Sequence, residues 1–168
     1  MSNTGVIIQG SARAEGNTKK VAEIVSQATG FPIIDLVSKN IGPFDYEFRN
    51  REDDFLPLMQ DIADNCDTII LITPVYWYTM SGLMKNFIDR FSDLLKVEKE
   101  MGRKLRGKSL ALISNTSGPN INPGFATPVD FSAQYLGMKF LGHFHAELEG
   151  DDIPESVQQA LRSLYQPV

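Results

Sequence analysis

Two stretches of this sequence carry residue types suited to a flat, anionic ligand. The first, Gly10-Ser11-Ala12-Arg13-Ala14-Glu15-Gly16-Asn17-Thr18, runs from an apolar segment into a helical pattern. A helix start offers unpaired backbone N–H groups and the positive end of the dipole, worth up to about 2 kcal/mol to an anion in a favourable site. Ser11, Asn17 and Thr18 add short polar side chains, and Arg13 adds a planar fork that matches a phosphate. The spacing is neither G-x-x-x-x-G-K-[ST] nor G-x-G-x-x-G, so two familiar phosphate cradles are excluded. The plainer alternative is an ordinary glycine-containing strand-to-helix turn. The second stretch, residues 73–82, places Tyr76, Trp77 and Tyr78 just beyond an apolar run. If it stays extended, Tyr76 and Tyr78 face one way and Trp77 the other. One side then packs inward while the other stacks on a planar ring; core packing or a contact with a second copy explains the rings equally well.

The elements that position these stretches follow from periodicity. Val6-Ile7-Ile8 predicts a first strand, and Val21, Ile24, Val25 and Ala28 predict a helix stopped by Gly30. Phe31 to Val37 reads as a second strand. Phe55, Leu58, Met59, Ile62 and Cys66 keep helical spacing, with Pro57 tolerable in the first turn. Thr68 to Ile72 is a third strand closed by Thr73-Pro74, and Leu83 to Leu95 the longest helix. Ser109 to Ser114 is a fourth strand, Thr127 to Leu136 a short helix, Phe140 to Leu148 a fifth strand, and Val157, Leu161 and Leu164 line a last helix. Strands alternating with helices imply right-handed crossovers and a mostly parallel sheet covered on both faces. The fifth run alternates, with Lys139, His143, His145 and Glu147 on one face and Phe140, Phe144, Ala146 and Leu148 on the other, as suits a wetted edge strand. In such sheets ligands sit outside the carboxyl ends of the strands, which singles out loops 10–18, 73–82 and 115–127.

The 168 residues suit one domain over 1–168, large enough to bury its own core. A net charge of −5 argues against general nucleic-acid binding. No apolar run is long enough to span a membrane. Met1-Ser2-Asn3-Thr4-Gly5 lacks the charged and apolar regions of a leader, and Cys66 is the single cysteine. A cytoplasmic protein without disulfides is expected. His143 and His145 share a face but have no evident third ligand, so no metal is expected.

The segments GSARAEGNT at 10–18, TPVYWYTMSGLMKNFIDRF at 73–91 and NTSG at 115–118 together resemble the flavodoxin-like NAD(P)H-dependent FMN oxidoreductases, which include bacterial FMN reductases, quinone reductases and azoreductase-like proteins. The resemblance implies an α/β three-layer, doubly wound sandwich with a five-stranded parallel sheet of order 2-1-3-4-5 and a single FMN-binding domain. It implies that Ser11, Arg13, Gly16, Asn17 and Thr18 bind the FMN phosphate. Pro74, Val75, Tyr76, Trp77, Tyr78 and Thr79 would then wrap the ribityl chain and one edge of the ring, and Asn115, Thr116, Ser117 and Gly118 would approach from the other side. Many relatives carry an acidic residue after the loop proline and a small residue after the tyrosine, where Val75 and Trp77 stand here. This is closer to the branch that includes iron–sulfur flavoproteins, though the cluster cysteines are absent.

The implied reaction passes electrons from NADH or NADPH through FMN to a small acceptor: a quinone, a flavin or an azo compound. No catalytic side chain is assigned, because the flavin supplies the chemistry. The rival reading is an electron carrier of the flavodoxin type, reduced by a protein partner. A phosphate-binding enzyme using Cys66 is disfavoured, since the thiol precedes the third strand. By family analogy the protein is a homodimer or higher homo-oligomer. The long segment 38–54, with Phe44, Tyr46 and Phe48, is expected either at that interface or over the flavin pocket.

Overall fold

The apolar run Val6-Ile7-Ile8 forms β1 (Gly5–Gln9), whose side chains alternate between two cores. The computed structural model describes residues 4–118 and 121–165. Met1, Ser2 and Asn3, on which the leader reading rests, lie outside the described residues, as do Pro119 and Asn120 of the third loop. After β1 come α1 (Asn17–Thr29), β2 (Ile33–Asp35), α2 (Phe55–Asn65), β3 (Thr68–Tyr76), β4 (Thr79–Met80), α3 (Gly82–Asp89), α4 (Phe91–Lys96) and α5 (Lys99–Arg103). The chain continues through β5 (Ser109–Thr116), α6 (Thr127–Leu136), β6 (Lys139–Glu147) and α7 (Glu155–Ser163).

The sheet runs β2-β1-β3-β5-β6 with every neighbouring pair parallel, and β4 folds back antiparallel on the end of β3. Counting the five main strands alone, this is the expected 2-1-3-4-5 order. Val6, Ile8, Ile69, Leu71, Leu110 and Leu112 face a core closed by α2, α3, α4 and α6. Ile7, Ile70, Ile72, Ala111 and Ile113 face a second core closed by α1 and α7. Full burial of each such side chain contributes about 1.5–3 kcal/mol, so the central strands fix the register of the whole sheet.

Four elements differ from expectation. β2 is shorter, because the Asp35 carboxylate accepts from the Val37 N–H at 3.1 Å and turns Leu36–Ser38 into a 3-10 turn. β3 runs beyond Thr73-Pro74, pairing Pro74 with Asn115. The Ile72 carbonyl accepts from the Gly10 N–H at the end of β1. By alternation Pro74 presents its ring nitrogen on that same side, where β1 has already stopped and no donor is required. The long helix of 83–95 breaks at Arg90, where the Asp93 N–H bonds the Arg90 carbonyl and tightens the turn. Finally, a bulge opposite Leu110–Leu112 inserts one residue into β6 at Leu141–Gly142. It reverses the alternation, so Phe140 packs in the same core as Leu110 and Leu112, while Phe144 joins the opposite one. β6 is an edge strand as expected, but the face of His143 and His145 is not a wetted one.

Candidate functional site

The carboxyl ends of β1, β3 and β5 converge on one cavity of about 280 Å³. Its first wall is the loop after β1. Gly10 is required there by close packing, since a Cβ on it would stand 2.9 Å from the Met84 Cβ. Ser11 is buried and its hydroxyl accepts from the Arg13 N–H at 3.2 Å, bending the chain into the helix start. Helix α1 has no side-chain cap and no acidic residue in its first turn, so its leading N–H groups are left for an anion. Ser11, Arg13, Gly16, Asn17 and Thr18 all line the cavity.

The second wall is the end of β3, from which Pro74, Val75 and Tyr76 reach the cavity. The chain does not stay extended as expected. Val75 pairs with Met80 and Tyr76 with Thr79, leaving Trp77 and Tyr78 as a two-residue hairpin tip. Both have positive φ, 48° and 67°, in a turn that ordinarily takes Asn-Gly. Bulky residues there are uncommon, and such strain tends to gather at functional sites. Trp77 is 91% exposed and Tyr78 65%, and neither these two nor Thr79 lines the cavity. Ser81 locks this wall to the first. Its hydroxyl donates to the Gly10 carbonyl and accepts from the Met84 N–H at 3.0 Å, while its own N–H donates to the Thr73 hydroxyl at 3.0 Å.

The third wall is the end of β5, where Asn115, Thr116 and Ser117 line the cavity and Gly118, at φ 135°, turns away from it. Asn115 is buried, yet its Oδ1 has no partner, an omission that burial makes costly unless a ligand supplies a donor. A fourth wall was not anticipated: Leu148 and Asp151, from the turn between β6 and α7. The Gly150 carbonyl accepts from Asn17 Nδ2 at 3.1 Å and from the Ser117 hydroxyl at 3.0 Å, tying the first loop to the third. Asn17 Nδ2 also donates to Asp151 Oδ1 at 3.3 Å, and Lys20 Nζ to the Asp151 carbonyl at 2.8 Å. Only the position of Gly150 before two acidic residues hinted at a turn; nothing local in the sequence pointed it at residue 17.

The remaining candidates fall elsewhere. Segment 38–54 contributes nothing to the cavity lining, so it does not overhang the pocket. It is anchored instead by the buried Arg90, whose guanidinium donates to the Gly42 and Asn50 carbonyls and to the carboxylates of Asp53 and Asp93. Burial alone would raise the Asp53 carboxyl, but hydrogen bonds from Arg90 and the Phe55 and Gly42 N–H groups hold it below the ordinary range. Phe44 packs edge-on against Tyr46 and Phe48 within the segment. Cys66 is buried, which pushes its thiol up, and it lies at the opposite end of β3 from Pro74. Among the described residues no cluster of His, Cys, Asp and Glu could hold a metal, and no helix is long and apolar enough to cross a membrane.

A doubly wound parallel sheet with an uncapped, Arg-flanked helix start at the β1/β3 switch point defines a flavodoxin-like protein with a site for a phosphorylated planar ligand. The sequence narrows this further: the model of the NADPH-dependent FMN reductase family matches residues 5–126, and the chain belongs to that family. Among curated relatives, YwqN of Bacillus subtilis (strain 168), which carries the provisional name of NAD(P)H-dependent FMN-containing oxidoreductase, is 34% identical over 96 residues, 54% of this chain and 52% of its own. An NADPH azoreductase of Bacillus sp. (strain OY1-2) is 28% identical over 87 residues, 52% of this chain and 49% of its own. The chain thus spans about half the length of these relatives. The solved structure of the Trp repressor binding protein from Bacillus subtilis superposes with a TM-score of 0.76 at 24% identity, covering 98% of this chain and 99% of that one, which bears on fold.

Proposed function

We propose that this chain is an FMN-dependent oxidoreductase domain that takes electrons from NADH or NADPH and passes them to a small acceptor, a quinone, a flavin or an azo compound. The observation that carries the reading is the cavity itself. An uncapped helix start beside Arg13 and the buried Asn115, whose Oδ1 lacks a donor, line one pocket. That donor set fits FMN: an anion at one end and hydrogen-bonding groups along a planar ring at the other.

When bound, FMN supplies the redox chemistry, accepting hydride from a nicotinamide and passing electrons on. The chain's own residues bind and orient it. Ser11, Thr18, the Arg13 guanidinium and the first N–H groups of α1 hold the phosphate; Pro74, Val75 and Tyr76 cover the polyol and ring edge; Asn115 to Gly118 face the ring from the other side. Backbone N–H groups of these loops would offer donors to the ring's pyrimidine edge. Trp77 and Tyr78, held out at the hairpin tip, cover the outer edge of the ring when it is in place. We include a cytoplasmic location and a homodimer in this reading.

The test is anaerobic. Purified protein titrated with FMN is expected to saturate near one flavin per chain, and its visible bands should bleach on addition of NADH or NADPH. Bands that persist with both nucleotides, but bleach with a reducing protein partner, favour the electron-carrier reading. Failure to bind FMN at all refutes the assignment of all three loops.

A further inference from the structure

Behind the third loop lies a polar cluster that the proposed reaction does not use. Ser114 is fully buried, and its hydroxyl lies 2.7 Å from His143 Nε2 and 2.8 Å from His145 Nδ1. The Leu141–Gly142 bulge puts both imidazoles on Ser114's side of the sheet. His145 Nε2 in turn lies 3.5 Å from the Gly118 carbonyl. The His143 ring stacks on buried Phe125, with centroids 5.2 Å apart and planes 21° apart.

Proton bookkeeping fixes the direction of this chain. A carbonyl only accepts, so a neutral His145 carries its proton on Nε2 and leaves Nδ1 bare. The single Ser114 proton then donates to that Nδ1. The serine oxygen is left to accept from His143, which must therefore also be protonated on Nε2. Burial and the neighbouring His145 pull His143 down to about 4, which keeps it neutral with the one proton this arrangement needs.

We propose that His143, Ser114 and His145 are positioning residues for the cofactor: a one-way hydrogen-bond chain, His143 to Ser114 to His145 to the Gly118 carbonyl, that together with the Phe125 stack pins both ends of the loop facing the flavin ring. The strand residue next to Ser114 is Asn115, which lines the cavity. The chain thus braces the back of the segment whose front meets the ligand. A braced loop presents the same dipoles to oxidised and reduced flavin without reorganising, and so sets the difference in their affinities. This inference rests on the FMN reading above.

The first experiment needs no flavin. Nitrogen-15 NMR of the imidazoles in the apo protein is expected to show both histidines neutral and protonated on Nε2; a proton on Nδ1 of His145 overturns the chain. The second uses FMN affinity and the flavin midpoint potential. Ser114→Ala and His145→Phe are expected to weaken FMN at least fivefold and to shift the potential, with the apo fold retained by circular dichroism. His145→Gln, which keeps a donor at the Nε2 position, should stay within about twofold of wild type. Ala and Phe variants with unchanged affinity and potential, or a Gln variant as weak as the Phe one, overturn this proposal while leaving the FMN reading intact. Wild-type protein that binds no FMN overturns both.

Discussion

Replacing Trp77-Tyr78 by Asn-Gly separates strain from packing at the hairpin tip. Each non-glycine residue held in the left-handed region costs roughly 1–2 kcal/mol, so relief at both positions returns about 2–4 kcal/mol. Against this stands the unfolded-state entropy of the new glycine, about 0.5–1 kcal/mol. Lost burial is the other term. Trp77, at 91% exposed, contributes little; Tyr78, at 65%, hides about a third of its surface. With about 150–250 Å² for an aromatic residue and about 25 cal/mol per Å², that third amounts to roughly 1.5–2 kcal/mol. The terms nearly cancel. The apo protein should therefore melt within about 2–4 °C of wild type, the shift that about 1 kcal/mol produces in a chain of this size. Removing two large aromatics from packed positions would instead cost about 3–5 kcal/mol each. FMN binding should respond quite differently, because the two proposed ring contacts of about 0.5–1.5 kcal/mol each would be lost and Kd should rise about tenfold or more. The assays are calorimetric melting of the apo protein and fluorescence titration with FMN. A Tm lowered by more than ten degrees, or an unchanged Kd, would refute the argument that this tip stores strain in order to hold its rings ready for the flavin.

Three further outcomes follow from the same structure. Asp151→Asn removes a carboxylate from the cavity that holds the proposed phosphate cradle and should tighten FMN about two- to fivefold with no gain for riboflavin, the effect fading with added salt; equal gains for both ligands would place the cause elsewhere. Gly150→Ala forces a Cβ into a φ of 64° and loosens the carbonyl that joins Asn17 to Ser117, so it should cost about 1 kcal/mol in urea melts and weaken FMN as well. Arg90→Met leaves the carboxylates of Asp53 and Asp93 buried without their cation and should destabilise by about 3–5 kcal/mol at neutral pH. Because the Asp53 carboxyl is held below its ordinary value, the stability it contributes is present above the ordinary carboxylate range and is lost as pH falls through the lowered value. Wild type should therefore weaken in acid more steeply than the variant, and parallel acid melts would contradict this.

What the sequence made legible was whatever depends on neighbours along the chain. Val6-Ile7-Ile8, Thr68 to Ile72 and Ser109 to Ser114 must be doubly covered strands because their inner positions are continuously apolar, and parallel order then follows from the helices between them. The uncapped turn into α1 was equally legible, since glycine, short polar residues and an arginine occur there in one run. What stayed hidden depends on partners far away in sequence. Ser81 reads as an ordinary N-cap until its hydroxyl is seen to bond the carbonyl of Gly10. Gly150 reads as a turn until its carbonyl is found between Asn17 and Ser117.

The histidine pair shows why alternation misled. The period-2 rule holds only while two strands stay in step, and one inserted residue at Leu141–Gly142 sends every side chain before the bulge to the face opposite the one counted from behind it. Counted without the bulge, His143 and His145 share the face of Lys139 and belong in water. Counted with it, they share the face of Phe140, and two imidazoles must find partners beneath the loop that follows β5. A glycine inside an otherwise alternating strand is the local sign of such a slip, and Gly142 has a φ of 111°. The inference can be run forward: deleting Leu141 leaves Phe140 and His143 two residues apart, so strict alternation puts them on one face without a bulge, and the imidazoles of His143 and His145 should stay against Ser114. His143 should then stay well below the ordinary value of about 6.5, as in wild type, where burial and the neighbouring His145 pull it down to about 4. A His143 that titrated near the ordinary value in that deletion would mean that register across the bulge does not set its face.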